Sequence, residues 1–179
     1  MTAAAAAPAT SLIAAGDDDY GWMLGGAPRY PNLELGLELP DGGVDAPEIL
    51  KIVRQMARTA YAGGGSSSWM IVEGRTVVGV CSYKGGLGDD GEVEIGYGVA
   101  AAFQGRGHAT RAVAALAEIA AADPALQALI AVTAVDNAAS QRCLARNGFL
   151  EVGRAVDPED GDVIRWRRVV SSTIIDDRM

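Results

Sequence analysis

Cysteine and histidine are both scarce in this 179-residue chain, which has two cysteines and one histidine. Cys81 and Cys143 each lie inside an apolar run, so the sequence predicts buried free thiols rather than a disulfide framework or the ligand set of a zinc site. We therefore expect no metal cofactor. The single histidine, His108, lies in a glycine-rich stretch that is considered below.

Aromatic residues and long apolar runs are also few. Aromatic side chains make up 6% of the chain, and alanine accounts for much of the 49% hydrophobic fraction, which favours helices packed through small residues over an aromatic-rich β-sandwich. No stretch approaches the roughly 18 uninterrupted apolar residues of a membrane span. The start, "MTAAAAAPAT", lacks the basic and long apolar regions of a secretory signal. We therefore expect a cytoplasmic protein without a membrane partner.

Positive charge is the minority, with 15 basic against 23 acidic side chains and a formal net charge of −8. A chain of this charge repels nucleic acid, so we expect no nucleic-acid partner. A cationic partner is the natural alternative.

The hydrophobic pattern predicts one mixed α/β domain, in which early helices are followed by an antiparallel run and then by a β-α-β unit. We expect a flexible segment over residues 1–10, the domain over 11–170 and a tail over 171–179. The third strand of the antiparallel run, "GEVEIGYGV", alternates, with Glu92, Glu94 and Gly96 on one face. The other predicted strands lie in "SLIAA", "WMIVEGRTVVGVCSY" (two strands), "ALIAVTAV", "FLEVGR" and "DVIRWRRVV". The predicted helices follow Asp17, Asp45 (ending at Gly63) and Asn137, and a further helix is predicted in "RAVAALAEIAAA".

The stretch "FQGRGHATRA" concentrates basic side chains and glycines between a strand and a helix. Unsatisfied N–H groups converge at a helix N-terminus, and the helix dipole adds about half a positive charge there. Gly105 and Gly107 permit close approach of the backbone to a ligand, so the stretch predicts an anion site or, alternatively, a simple tight turn. The sequence fits neither the P-loop nor the dinucleotide-binding pattern.

Three motifs in the chain resemble the GNAT superfamily of acyl-CoA-dependent N-acyltransferases. "QGRGHA" matches the Q/R-x-x-G-x-G/A signature, "VEIGYGV" is similar to the family's fourth strand, and "NAASQRCLARNGF" resembles a segment of the branch that contains ribosomal-protein N-terminal acetyltransferases. The resemblance covers residues 68–168. It implies the GNAT fold, in which a mixed, mostly antiparallel sheet splays between strands 4 and 5 and is flanked by about four helices.

The resemblance also implies the cofactor, acetyl-CoA, with coenzyme A as a product. The glycine-rich loop would bind the pyrophosphate, the His108 ring would point outward or towards phosphate, and pantetheine would enter between the splayed strands. Asn137 would bond pantetheine or act only as a helix N-cap. Arg142 and Arg146 would reach phosphate or coat a solvated helix face. The implied cofactor-binding residues are Val99, Ala100, Gln104, Gly105, Arg106, Gly107, His108, Ala109, Thr110 and Asn137.

Glu94 occupies the position of the family's general base, and Glu92 on the same face would assist it by raising its pKa. The alternative is that both carboxylates are solvated or structural. The family's usual acid, a tyrosine seven residues after the motif asparagine, is replaced by Leu144, which leaves the Ser140 hydroxyl or a water to protonate the thiolate. The alternative is that no group protonates the departing thiolate, in which case the chain would be a catalytically silent acyl-CoA-binding module.

The family's acceptor amine enters near the first helices and the turn between the last two strands, and attacks directly in a ternary complex. We expect Trp22, Tyr30 and Glu92 to contact it. Acidic residues in these regions favour a polyamine, an aminoglycoside-like compound or a basic peptide N-terminus, although they would equally serve only for solubility. These acidic residues are Glu34, Glu38, Asp41, Asp157, Glu159, Asp160 and Asp162. The sequence is compatible with a monomer and with a homodimer.

Overall fold

Seven strands form a single sheet in the order β1-β2-β3-β4-β5-β7-β6. The computed structural model describes residues 9–58, 67–158 and 160–170. The strands are β1 (Thr10–Ala14), β2 (Ser68–Glu73), β3 (Thr76–Lys84), β4 (Glu92–Val99), β5 (Ala128–Ala134), β6 (Leu150–Asp157) and β7 (Gly161–Val169). The helices are α1 (Asp17–Met23), α2 (Asn32–Leu35), α3 (Pro47–Arg58), α4 (His108–Ala121) and α5 (Ala138–Arg146), with a 3-10 turn at Ala101–Phe103.

The pairing of β4 with β5 is parallel, whereas all other neighbouring strands are antiparallel. The β4–β5 pairing extends only over residues 92–94 of β4 and 128–130 of β5. Beyond these pairs, β4 continues to Val99 and β5 to Ala134 with the two strands diverging. The predicted splay between the fourth and fifth strands is therefore confirmed.

The sheet is covered on both faces, and β2 shows how its sequence divides between them. Trp69 and Ile71 pack into a core shared with α4 and α5, whereas Met70 and Val72 pack into a second core with α1 and α3. This alternation follows from the two-residue period of a strand. Because both faces of β2 are buried, its sequence is almost continuously apolar.

The helix α1 begins in the acidic run that predicted it. Asp19 Oδ2 accepts a hydrogen bond from Gly16 N at 2.6 Å, and the carboxylate of Asp17 pairs with Arg54 and Arg58 of α3. These two guanidinium groups hold the pKa of Asp17 well below its usual range. The pair of helices is thus tied together at the outer surface of the second core.

Two features of the early helices differ from the sequence prediction. The described residues contain one helix more than expected, the short α2, which ends at Gly36 in the left-handed conformation. At α3, Asp45 and Glu48 have the spacing of a capping box, but the helix begins at Pro47 and Asp45 Oδ1 instead accepts a hydrogen bond from Ala46 N at 2.7 Å. The predicted end of this helix at Gly63 lies outside the described residues, as do residues 1–8 and the predicted tail.

Both cysteines are buried free thiols, as predicted. Burial raises the pKa of Cys81 to about 12, so its thiol is inert at neutral pH. Over the three described ranges, no helix is both long enough and apolar enough to cross a membrane.

Candidate functional site

A cavity of about 520 Å³ lies between the splayed end of β4, the glycine-rich loop and α5. Eight of the ten expected cofactor-binding residues line it; Ala100 and Arg106 do not. Ala100 N instead donates to Val78 O at 2.8 Å, and the Arg106 guanidinium lies over the Phe103 ring, 5.2 Å from its centroid. The lining residues are Tyr97, Gly98, Val99, Phe103, Gln104, Gly105, Gly107, His108, Ala109, Thr110, Asn137, Ala139, Ser140, Arg142, Cys143 and Arg146.

The loop presents a set of free backbone donors. Among the hydrogen bonds of the described residues, none uses the N–H groups of residues 105–110. Gly105 and Gly107 adopt positive φ angles of +74° and +80°, which L side chains rarely adopt, and α4 begins directly afterwards at His108. Free N–H groups at the positive end of a helix dipole are a suitable cradle for a diphosphate.

Two side chains hold the loop in this conformation. Gln104 Nε2 donates to Val99 O at 3.0 Å, which ties the loop to the end of β4. Arg111 donates from Nε to Thr10 Oγ1 at 2.7 Å and from NH2 to Arg106 O at 3.0 Å. The loop is therefore fixed from both sides.

The ring of His108 is buried, so the expectation that it points outward or towards phosphate is wrong. Its Nδ1 lies 3.1 Å from Thr10 Oγ1, and its Nε2 lies 3.5 Å from Glu73 Oε1. Burial lowers the pKa of His108, and the positive charges of Arg111 and Arg106 act in the same direction against the opposing effect of Glu73. The neutral ring thus packs α4 against β1 and β2, while the His108 backbone N–H remains in the loop.

This burial predicts a pH dependence of folding. In the unfolded chain, a histidine protonates near pH 6.5, but the lowered pKa of folded His108 delays protonation. Stability is therefore fully present above about pH 6.5 and is lost as the pH falls below it, with a slope of at most about 1.4 kcal/mol per pH unit. Thermal unfolding of the wild type and of His108→Gln between pH 7.5 and 5.5 measures this effect. Equal pH slopes in the two proteins would contradict it.

A second cavity, of about 390 Å³, opens between α3 and the splayed strands. Tyr97, Gly98, Asn137 and Ser140 line both cavities, so the two meet where β4 faces the start of α5. The other residues lining the second cavity are Asp45, Ile49, Ile52, Val53, Met56, Val80, Cys81, Ser82, Lys84, Ile95, Gly96, Ala131 and Val132.

A pair of hydroxyl groups lies at this junction. Tyr97 Oη is 2.6 Å from Ser140 Oγ, and burial raises the pKa of Tyr97, so the phenol stays protonated and can donate. Ser140 N donates to Asn137 Oδ1 at 3.0 Å, which confirms the N-cap role of this asparagine. Leu144 is fully buried.

Sequence reasoning missed Tyr97. It placed this tyrosine on the strand face opposite Glu94 and then considered only Ser140 or a water as the acid. The alternation of β4 contained the available signal, because it places Tyr97 on the same face as Val99, at the splay.

The two candidate carboxylates of β4 each have a cationic partner of their own. Glu94 Oε1 accepts a hydrogen bond from Lys84 Nζ at 3.0 Å, and Glu92 Oε1 accepts one from Arg167 Nε at 2.6 Å. Neither carboxylate is among the residues that line the two cavities, although Lys84 and Gly96, on the same face as Glu94, line the second. Glu94 thus lies next to the second cavity rather than in its wall.

The acceptor residues expected from the sequence lie elsewhere. Trp22 is buried in the core between α1 and α3, and Tyr30 is 77% exposed. Glu38 pairs with Arg75 at 3.0 Å. Neither cavity is lined by Trp22, Tyr30, Glu92, Glu34, Glu38, Asp41, Asp157, Asp160 or Asp162, and Glu159 lies outside the described residues.

Comparison with known proteins gives one family and one fold. Residues 43–150, more than half of the chain, match the acetyltransferase (GNAT) domain. A comparison with curated protein sequences gives no significant match.

Several solved structures share the fold. A RimL ribosomal L7/L12 α-N-protein acetyltransferase in complex with coenzyme A superposes with a TM-score of 0.67 at 22% identity, covering 90% of this chain and 94% of that one. An acetyltransferase from Salmonella typhimurium, which modifies the N-terminal serine of ribosomal protein L7/L12, gives 0.67 at 21% identity, with 90% and 95% covered. An aminoglycoside acetyltransferase with coenzyme A gives 0.63 at 17% identity, with 90% and 95% covered.

Proposed function

Because this chain belongs to the GNAT acetyltransferase family and is therefore an acyltransferase, we propose that it transfers an acetyl group from acetyl-CoA to a primary amine. The amine would belong to a cationic small molecule or to a peptide N-terminus. The observation that carries the proposal is the meeting of two cavities at a shared set of residues, one cavity bounded by free backbone donors and the other open to an acceptor.

The first cavity suits acetyl-CoA, which would supply the acetyl thioester. The N–H groups of residues 105–110 would bind the pyrophosphate, with Arg142 and Arg146 of the lining near the phosphates. Backbone groups of a strand alternate in direction, and Ala100 N donates towards β3. Val99 N therefore points towards the splay, where it would donate to the thioester carbonyl and stabilise the oxyanion.

The second cavity would hold the acceptor, and the transfer would occur where the cavities meet. Attack requires a neutral amine. Glu94 would accept its proton through a chain of waters, since two residues of strand place Glu94 about 7 Å from Gly96 in the cavity wall and the junction lies further along β4. Lys84, held by Glu94, would orient this carboxylate.

Tyr97 and Ser140 would supply the proton that the departing thiolate takes up. Their hydroxyl groups are hydrogen-bonded to each other at the junction, and the raised pKa of Tyr97 keeps its proton available at neutral pH. A β4 tyrosine would thus replace the missing hydroxyl at the position of Leu144.

The proposal predicts release of free thiol that requires both acetyl-CoA and an amine. The measurement is thiol detection over a panel of primary amines, each compared with acetyl-CoA alone and with a tertiary amine of similar size. Stabilisation of the fold by acetyl-CoA without thiol release from any amine would instead support the catalytically silent acyl-CoA-binding module.

A further inference from the structure

The second cavity has one polar end and one apolar wall. Of its described lining residues, Asp45 and Lys84 carry charge, and Lys84 is already paired with Glu94. The wall is formed by four apolar side chains of α3, namely Ile49, Ile52, Val53 and Met56. We infer that this cavity selects a primary amine with a single positive charge and an apolar substituent, the ammonium group being held by Asp45 and the substituent by α3. The inference rests on the proposed function.

Asp45 lines the second cavity next to its junction with the first. A Cβ atom placed on Gly98 would lie 2.7 Å from Asp45 Oδ2, so this oxygen occupies the space over the Gly98 backbone. Gly98 lines both cavities and precedes Val99, whose N–H points to the splay. Asp45 Oδ1 accepts the hydrogen bond from Ala46 N, which orients the carboxylate and leaves Oδ2 to face the cavity end. An ammonium bound to Oδ2 would therefore lie beside the site of transfer.

The apolar wall is unusual because part of it is open to solvent. Ile49 and Ile52 are 44% and 51% exposed, although they lie on a helix whose other face packs into the core through Leu50. Burial of such side chains against an apolar ligand removes their surface from water, which favours binding. A substituent the size of an aromatic ring or a branched aliphatic chain suits a cavity of about 390 Å³.

A polyamine fits this lining poorly. Its second ammonium group would lie against Ile49 and Ile52 or close to the positive charge of Lys84. Removal of a charge from water without a partner is costly. Those acidic residues that suggested a polycation and that the structure describes lie outside the lining of this cavity.

The test compares 2-phenylethylamine with spermidine in the thiol-release assay on the whole chain. We expect kcat/KM to be about tenfold to a hundredfold higher for 2-phenylethylamine, the range given by burial of one large apolar group. The tripeptide Phe-Gly-Gly, assayed under the same conditions, shows whether the cavity also accepts a peptide N-terminus that carries an apolar side chain. A preference for either apolar amine over spermidine supports the inference.

One substitution tests the polar end of the second cavity, and another tests its apolar wall. Asp45→Asn should lower kcat/KM for 2-phenylethylamine about tenfold to a hundredfold, mainly through a higher KM, because it removes a charge-assisted hydrogen bond. Ile52→Glu should lower the preference for 2-phenylethylamine over spermidine at least tenfold. The control is Ile119→Glu, which changes an exposed isoleucine of α4 outside both cavities and should leave the preference unchanged.

Stabilisation by acetyl-CoA should be equal in all four proteins, which separates specificity from folding. A higher kcat/KM for spermidine than for both apolar amines in the wild type would overturn the inference and leave the proposed function intact. Absence of thiol release with every amine would overturn both.

Discussion

Replacement of Gly107 with glutamate is expected to abolish the stabilisation of the protein by coenzyme A. The new carboxylate would lie in the proposed pyrophosphate cradle, where two like charges about 4 Å apart repel by ~4 kcal/mol at an effective dielectric constant near 20. This corresponds to about a thousandfold loss of affinity. At a coenzyme concentration of about 100 times Kd, the wild type should gain about 2.7 kcal/mol, or roughly 5 to 10 °C in Tm, and the variant almost nothing.

Two controls separate charge from backbone strain. Gly107 has a φ angle of +80°, and a Cβ atom there would lie 2.8 Å from Arg111 NH1, so any side chain costs some stability. Gly107→Ala introduces this cost without the charge and should retain most of the stabilisation. Gly161→Glu places the same carboxylate at a φ angle of +70° in the β6–β7 turn, outside the cavity, and should respond to coenzyme A like the wild type. Equal stabilisation of Gly107→Glu and the wild type would refute the phosphate-loop assignment.

The Glu94→Gln variant is expected to lose about a hundredfold to ten-thousandfold in kcat, the range associated with removal of a general base. Glutamine keeps an oxygen that can accept the hydrogen bond from Lys84, so β4 and its neighbours should stay in place. Coenzyme A should therefore stabilise the variant as it does the wild type. The measurement is kcat for the best amine of the panel as a function of pH.

The pH profile distinguishes a base from a merely structural carboxylate. The acceptor amine loses its own proton near pH 10, so the deficit of Glu94→Gln should shrink as the pH rises towards that value. A structural defect would persist at every pH. Glu118→Gln, which removes an exposed carboxylate on α4, controls for the change in net charge. Wild-type kcat in Glu94→Gln would exclude this residue as the base.

Tyr97→Phe examines the other end of the proposed proton path. Loss of its hydroxyl should lower kcat while coenzyme binding is kept, and the loss should be smaller than for Glu94→Gln because a thiol with a pKa near 8.5 is a fair leaving group without assistance. An unchanged kcat would leave Ser140 or water as the donor.

Local features of the fold were readable from the sequence because each depends on neighbouring residues. The alternation of β4, the acidic first turn of α1 and the N-cap at Asn137 involve contacts within a few positions along the chain. The glycine-rich loop was likewise recognisable, since positive φ angles require glycine and the free N–H groups come from the backbone at the start of α4.

The acceptor side was not readable in this way. Acidic residues were assigned to it from the resemblance to the family, but Glu38 and Glu92 are each paired with arginines, Arg75 and Arg167. Trp22 was assigned to the amine and is instead part of the core. Whether a charged or aromatic side chain faces a cavity or a partner depends on residues far along the chain.

The motifs of the sequence carried the resemblance that implied the family and the splayed mixed sheet, and the glycine-rich loop was located from the sequence alone, because glycine content and hydrophobic period are local properties. Only the tertiary structure decided the chemistry around them. It buried His108 against Thr10, 98 positions away, brought Tyr97 to Ser140, and placed Asp45 over Gly98. Each of these contacts joins a helix or a loop to a strand, so its geometry exists only when the sheet and helices pack together.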